Sequence, residues 1–447
     1  MKILKFGGTS LGSLEMIQKT AQIVTEIKNN SKEDVVVVVS AMSTVTNTLI
    51  DLCELAKKGD INEVMNGIDK IKEKHEDVAR GICSNDICKE HFNDIKKNLD
   101  ILHDIFKGVT LLGDLNPKDR AKILYFGEIL SSILLSLAIN KLGYDSSFYK
   151  SSSIIMCEGE FMNSEYNKDL SKEKAKIFLQ KHNTEKEIPV ITGFGGGDEN
   201  GNIYLFDRGG SDYVATIIGN LFNANSVEIW TDVDGVMSAD PRIIKNPIIW
   251  DELDYSVSAE FALTGAKVLH PKTISPAQEK NIPVYIKNTF NTKANGTKIC
   301  KSKKLSGIKG INIDNNQVLI TFIDNSMLGG VGYLYSAIKI IRNNSVSIDS
   351  VATSETSFTL SLKESDFTTK IKNELYELDN NFSITLDKEV TKISIVGDNI
   401  NDYKVLSTLD DIKLISKGEY NKTLTIFINK VEKDIILTKL HKSIFGI

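Results

Sequence analysis

The chain is predicted to be an α/β protein: a mostly parallel sheet sandwiched by helices, followed by smaller α+β units. Three observations predict this. Apolar strands alternate with helical patterns up to about residue 300. Val35 to Val39 is an unbroken valine run, the composition of a central strand covered on both faces. Beyond residue 300 the segments shorten into alternating strands interrupted by helices.

The elements follow in order. A short apolar strand begins at residue 2 and runs through Lys5 and Phe6 into Gly7, Gly8, Thr9 and Ser10, and an amphipathic helix spans Leu14 to Lys28. A helix N-terminus aims partial positive charge at that glycine turn, and Lys5 adds a full charge beside it. The combination suits an anion such as phosphate, although no G-x-x-x-x-G-K-[ST] motif occurs. The same glycine pair is also ordinary punctuation between strand and helix. Small and hydroxyl residues from Ser40 to Thr48 lead into a second helix. Residues 60–110 read as a helical excursion, a lid or outer layer. Lys122 to Lys141 is a strongly apolar helix with Glu128 inside it. Strands at Ile188–Thr192 and Val227–Thr231 precede glycine-rich and acidic turns (Gly193, Gly195, Gly196, Gly197; Asp232, Asp234, Gly235). In a parallel sheet, ligands gather at such carboxyl ends.

Lys298 to Lys304 reads as a linker. After it, strands are expected at Ile308–Ile313, Gln317–Ile323, Ser347–Ala352 and Ser357–Leu362, with a helix at Tyr333–Asn343. A second set comprises strands at Lys392–Val396, Lys413–Ile415 and Thr423–Asn429 and a helix at Glu432–Ile444. Together they form an imperfect repeat of two β-α-β-β-α-β units.

Composition narrows the function. The 447 residues allow two or three domains, 41% are hydrophobic, and the formal net charge is -5. No basic excess exists to attract nucleic acid or an anionic membrane, so neither partner is expected. No apolar run reaches about 18 residues and no signal segment opens the chain, which is expected to be cytoplasmic. The five cysteines (Cys53, Cys83, Cys88, Cys157, Cys300) form no C-x-x-C and are expected to be free reduced thiols.

Three further segments carry chemistry. Asp207, Arg208, Gly209, Gly210, Ser211 and Asp212 place a planar two-donor fork beside two glycines at the start of a helix, suited to a carboxylate or phosphate. Thr231, Asp232, Val233, Asp234 and Gly235 close a strand and lead to Asp240, Pro241 and Arg242. Gly265 to Pro271 contains Lys267, which could meet phosphate or be an ordinary helix-end lysine.

Seven segments occur together in one order: K-F-G-G-T-S at 5–10, S-A-M-S-T-V-T-N at 40–47, F-G-E at 126–128, R-G-G-S-D at 208–212, T-D-V-D-G at 231–235, D-P-R at 240–242 and G-A-K-V-L-H-P at 265–271. In this the whole chain resembles the monofunctional aspartate kinases: an amino-acid-kinase domain (1–300) followed by two ACT units within 305–447. The first unit would span about 315–385, and the second 305–313 plus 390–447. The resemblance implies ATP-dependent phosphorylation of the side-chain carboxylate of L-aspartate, with Mg2+, at the head of lysine, threonine and methionine biosynthesis. It implies roles too. Lys5 would bridge the transferring phosphoryl group, with Gly7 and Gly8 lending N–H groups. Ser40, Thr46 and Ser211 would contact the amino acid, Glu128 its ammonium and Arg208 its α-carboxylate. Asp212 would lie near the reacting groups, orienting Lys5 or influencing the metal. Thr231, Asp232, Met237, Arg242 and Lys267 would hold the nucleotide.

Two positions depart from the family pattern: Asp207 stands where a small residue usually precedes the arginine, and Met237 where an aromatic commonly covers adenine. In the tail, Met327, Gly332, Asp349, Thr353, Ser354 and Glu355 match positions that bind an amino-acid effector, with lysine the one expected. The second ACT unit is abbreviated. Pairing of these units implies a homodimer or larger oligomer. Alternatives are another member of the superfamily, such as a glutamate 5-kinase or acetylglutamate kinase, and a non-catalytic amino-acid sensor. No second dinucleotide domain follows, so a fused homoserine dehydrogenase is not expected.

Overall fold

The structure is a computed structural model and describes residues 1–83, 88–182, 184, 186–207, 209–265, 271–302, 306–323, 333–378, 383–398, 400, 406, 409, 411–418 and 422–446. It divides into two compact units. One comprises Met1–Val236, Ile249–Tyr255 and Val268–Ser302; the other comprises Met237–Ile248, Ser256–Lys267 and Lys303–Ile447.

The elements up to residue 302 run β1 (Lys2–Phe6), α1 (Leu14–Ser31), β2 (Val35–Val39), α2 (Val45–Lys57), α3 (Ile61–Ile82), α4 (Lys89–Leu112), α5 (Pro117–Lys141) and β3 (Phe148–Tyr149). Next come β4 (Met156–Glu160), β5 (Asn163–Asn167), α6 (Lys168–Lys181), β6 (Val190–Thr192), β7 (Gly195–Gly197), β8 (Ile203–Leu205), α7 (Gly210–Leu221) and β9 (Ser226–Thr231). They end with β10 (Glu252–Asp254), α8 (Tyr255–Leu263), α9 (Pro271–Glu279), β11 (Val284–Asn288) and β12 (Thr297–Cys300).

Among the described residues, eight strands form the main sheet in the order β10-β12-β11-β9-β1-β2-β6-β3. Only the β11–β12 pair is antiparallel. β1 and β2 lie at its centre, in keeping with their composition: every valine of β2 is fully buried. Register aligns Phe6 with Val39 on one side and Trp230 on the other. The carboxyl ends of β1, β2 and β9 therefore meet at one edge, where the glycine turn, Ser40 and Thr231 all begin.

α5 explains how a carboxylate comes to be deep in the protein. Asn116 caps it by accepting from Asp119 N–H (2.9 Å), and Pro117 fits its first turn. Its side chains from Ile123 to Ile139 are buried on every face. The helix is long and apolar enough to cross a membrane, yet 94% of its most apolar window is buried inside the protein, as in a core helix. The helical excursion is α3 and α4. Cys83 and Cys88, which flank the end of α3 and the start of α4, are joined as a disulfide, against the expectation of five free thiols; they are only five residues apart in sequence.

The expected glycine loop after β6 is instead the buried strand β7, in a small sheet ordered β5-β4-β7-β8. A side chain at Gly196 would strike Ile155 O and Cys157. These glycines serve close packing rather than ligand binding.

The second unit contains β13 (Gly307–Ile323), α10 (Tyr333–Asn343), β14 (Ser350–Thr353), β15 (Ser357–Lys363), α11 (Thr369–Tyr376), β16 (Ser383–Asp398), β17 (Leu414–Lys417), β18 (Thr423–Asn429) and α12 (Lys433–Phe445). Its sheet order is β14-β15-β13-β16-β18-β17. The two strands expected between residues 308 and 323 are one strand, with register shifts between Asp314 and Gln317. Its first half pairs with the last residues of β16, beside β18, and its second half pairs with β15. Asn315–Asn316 looks like a turn in sequence but is absorbed as a bulge. β16 begins nine residues before the expected Lys392: Ser383–Asp387 does alternate, with Ile384 and Leu386 packed on the core, but the charged Asp387, Lys388 and Glu389 that follow hide its continuity with the later apolar residues. The linker expected at 298–304 begins inside β12.

Within this unit, Ala239 and Ile244 pack with Ile311, Ile395 and Leu437. Ser238 Oγ bonds His441 Nε2 at 2.9 Å, and Ile311 N–H donates to Ser238 O at 2.8 Å. The segment that holds D-P-R thus belongs by packing to the C-terminal unit.

Candidate active site

A cavity of about 310 Å3 lies at the carboxyl ends of β1 and β2. Lys5, Gly8, Ser40, Thr46, Glu128, Ser211 and Asp212 line it, so seven of the expected site residues converge. Lys5 Nζ lies 2.5 Å from Asp212 Oδ1, with the two side chains only 10% and 15% exposed. Asp212 Oδ1 makes no well-directed hydrogen bond, so the contact is primarily ionic.

Backbone geometry brings these groups together. Gly209 takes a left-handed φ of 82° just before α7, a conformation glycine adopts without strain, and Asp212 falls in the first helical turn. Gly8 passes so close to the β2 end that a Cβ would sit 3.0 Å from Ala41 O. Ser43 ties the two loops together, giving its N–H (3.2 Å) and its hydroxyl (2.9 Å) to Gly8 O. Two helix N-termini, those of α2 and α7, border the cavity, and neither carries a side-chain cap. Each presents roughly half a positive charge, beside the full charge of Lys5.

Glu128 is 3% exposed. Its Oε1 accepts from Ala41 N–H at 3.1 Å, while Oε2 has no hydrogen-bond partner. Burial pushes its carboxyl up to about 8; the Ala41 bond and the Lys5 charge act against that rise. An unpartnered buried carboxylate oxygen is costly unless a ligand satisfies it. Ser131, one turn further along α5, fixes the β2 end by donating to Ser40 O at 2.7 Å.

The remaining expected residues distribute as follows. Gly7 borders the site, but its N–H is already given to Trp230 O (3.3 Å), so it shapes the turn rather than offering a donor. Thr231 closes β9 and its hydroxyl lies 3.1 Å from Asp232 Oδ1. Met237 and Arg242 belong to the second unit, where the exposed Arg242 guanidinium is forked onto Asp240. In that unit Asp349 accepts from Gln317 Nε2 (2.9 Å) and Lys392 Nζ (3.0 Å), so its charge is already met from within the chain. Ser354 Oγ bonds Ser357 Oγ (2.7 Å), Thr353 ends β14 and Glu355 is exposed. Arg208, Lys267, Met327 and Gly332 lie outside the described residues.

The structure adds residues that sequence did not single out: Ser43, Thr44, Asn47 and Phe194 also line the cavity. Thr44 and Phe194 have left-handed φ values of 73° and 69°. No sequence pattern announces a strained non-glycine turn; for the others, the hydroxyl-rich run from Ser40 to Thr48 was the available signal.

The arrangement can hold a zwitterion's ammonium on Glu128 and press an anionic group against Lys5 and two helix N-termini. Residues 1–288 match the amino acid kinase family model. The chain is 30% identical to aspartokinase 3, chloroplastic, of Arabidopsis thaliana, over 99% of this chain and 81% of that protein. It is 25% identical to lysine-sensitive aspartokinase 3 of Escherichia coli, over 99% of each. A crystal structure of E. coli aspartokinase III with lysine and aspartate superposes with a TM-score of 0.85 at 24% identity, covering 100% of this chain and 99% of that one. The chain belongs to the amino acid kinase family and, within it, to the aspartokinases.

Proposed function

We propose that the cavity transfers the terminal phosphoryl group of ATP to the side-chain carboxylate of L-aspartate, giving 4-phospho-L-aspartate. One observation carries this assignment: Glu128 Oε2, buried and unpartnered, lines the same cavity as the Lys5–Asp212 pair. The acceptor carboxylate has a free pKa of about 3.9 and is ionised at neutral pH, so the site needs no general base. The barrier lies in bringing one anion against another, and fixed cations and N–H dipoles lower it.

Glu128 takes the substrate ammonium and Arg208 its α-carboxylate; Ser40, Thr46 and Ser211 orient it. Lys5 neutralises the transferring group, Asp212 holds Lys5 in place, and Gly8 lends its N–H. Thr231 and Asp232 would hold the nucleotide. Among the described residues no group of three His, Cys, Asp or Glu side chains could hold a metal ion. A site with one or two carboxylates still fits Mg2+ that arrives on the nucleotide, since that ion is commonly bound through phosphates. When bound, it supplies charge neutralisation on those phosphates.

We place the catalytic domain within 1–300, apart from 237–248 and 256–267, which group with the C-terminal unit, and two ACT units at about 315–385 and at 305–313 plus 390–447. The protein is a cytoplasmic homo-oligomer on this proposal, and lysine is its effector. What supports the effector is the name of the E. coli relative, lysine-sensitive aspartokinase 3. An ammonium reaching Asp349 would have to compete with Lys392.

The test is ATP turnover with L-aspartate, L-glutamate and N-acetylglutamate in parallel. Aspartate is expected to exceed the others by about 100-fold in kcat/KM, because a site built around buried polar groups rejects a substrate that leaves them unpaired. Preference for either glutamate compound would move the chain to another branch of the family. Effector binding without any turnover would support a sensor.

A further inference from the structure

The turn that opens α2 is held in an unusual way. A threonine at a helix N-cap ordinarily lies in the extended region, and its hydroxyl accepts from an N–H of the first turn. Thr44 instead has φ 73° and ψ -21° and makes no capping bond. Left-handed backbone costs a non-glycine residue about 1–2 kcal/mol and persists only where the surroundings impose it.

The backbone forms a turn here, Val45 N–H donating to Met42 O at 3.1 Å across Ser43 and Thr44, and side chains brace it from two sides. Ser43 is anchored on one side to Gly8 O. On the other side Lys74, from α3, donates its Nζ to Ser43 O at 2.8 Å and lies 3.5 Å from Thr44 Oγ1. Burial holds the Lys74 ammonium below the ordinary lysine range, and the preceding turn of α3 is packed into the core through Ile71. The lysine is therefore a fixed strut from the helical excursion to the lip of the cavity.

We propose that Lys74 is a positioning residue for the phosphoryl-transfer site: it keeps Thr44 left-handed and its hydroxyl turned away, so that the N-terminus of α2 stays open to an anion. Without it, Thr44 relaxes to an extended conformation and its hydroxyl caps α2. The same N–H groups are then satisfied from within, and the cavity loses one of its two helix ends. Lys74 touches no reacting atom; it acts through Ser43 and Thr44. The inference rests on the cavity being the site of transfer.

A double-mutant comparison tests it, using Lys74→Met, Lys74→Arg, Thr44→Gly and the Thr44→Gly/Lys74→Met pair. Lys74→Met is expected to lower kcat/KM for aspartate by about 10- to 100-fold, since displacements of about 1 Å at a positioned site carry losses of that size. The melting temperature should hold, and Lys74→Arg should recover most of the activity. Glycine adopts the turn without strain and has no hydroxyl to swing in, so Lys74→Met in the Thr44→Gly background should cost less than about twofold. Unchanged kcat/KM in Lys74→Met would overturn the proposal. So would an equal loss in both backgrounds, or a loss that follows a fall in melting temperature. A fully active Lys5→Ala enzyme would instead remove the premise about the cavity.

Discussion

Replacing Lys5 by alanine is expected to lower kcat by about 10^3-fold or more, with the fold kept. A single preorganised donor at a developing charge is commonly worth 10^2 to 10^3, and Lys5 is a full cation at the point where two anions meet. It stands on the central strand, packed between β2 and β9 by a register that leaves its side chain one direction to point. Removing it deprives Asp212 of its partner at 2.5 Å. Losing one member of a buried pair is often strongly destabilising. Asp212, however, sits in the first turn of α7, where the helix dipole supports its charge. The check pairs a thermal melt with steady-state kinetics. A folded Lys5→Ala enzyme with near-normal kcat would show that another group neutralises the transferred phosphoryl.

Glu128→Gln is expected to have the second largest effect, about 100-fold on kcat/KM for aspartate, from the loss of a charge-assisted bond to the ammonium. Its proton adds a signature that no packing change would reproduce. With the carboxyl pushed up to about 8 by burial, the empty site holds Glu128 neutral at pH 7. An arriving ammonium favours the carboxylate, so aspartate binding should release close to one proton near pH 7. Calorimetry in buffers of different ionisation heat reads that release, and Glu128→Gln should abolish it.

Linkage gives the stability trend. A carboxyl raised in the native state contributes stability that is fully present below its unfolded value of 4.5 and is lost as pH rises through about 8. The ligand-free wild-type enzyme should therefore weaken across that window relative to Glu128→Gln, by about 5 kcal/mol at pH 9. Parallel stability curves for the two proteins would mean that Glu128 is not buried uncharged.

The parts of this site visible in sequence were those with unusual local chemistry. Lys5 ends an apolar strand at a glycine pair, Glu128 interrupts an otherwise apolar helix, and Asp212 opens a helix behind two glycines. Each is a residue type out of keeping with its surroundings. Lys74 carried no such mark, because a lysine on an amphipathic helix is ordinary until the fold shows what its amine meets. The glycines at 195–197 misled for the opposite reason. Glycine marks both ligand approach and close strand packing, and only the neighbouring Ile155 and Tyr204 backbones distinguish them. The segment 237–248 is separated from β9 by five residues, yet its apolar residues pack on the C-terminal sheet, a long-range choice that local pattern does not encode. In the same way, β13 reads as two strands because a bulge and a turn share the same residues.

The most direct measurement is a crystal structure of this chain with L-aspartate and a non-hydrolysable ATP analogue. The expected result places the aspartate ammonium about 2.9 Å from Glu128 Oε2, with its side-chain carboxylate and the terminal phosphate both against Lys5. Aspartate seated elsewhere, with Glu128 Oε2 still unpartnered, would contradict the account.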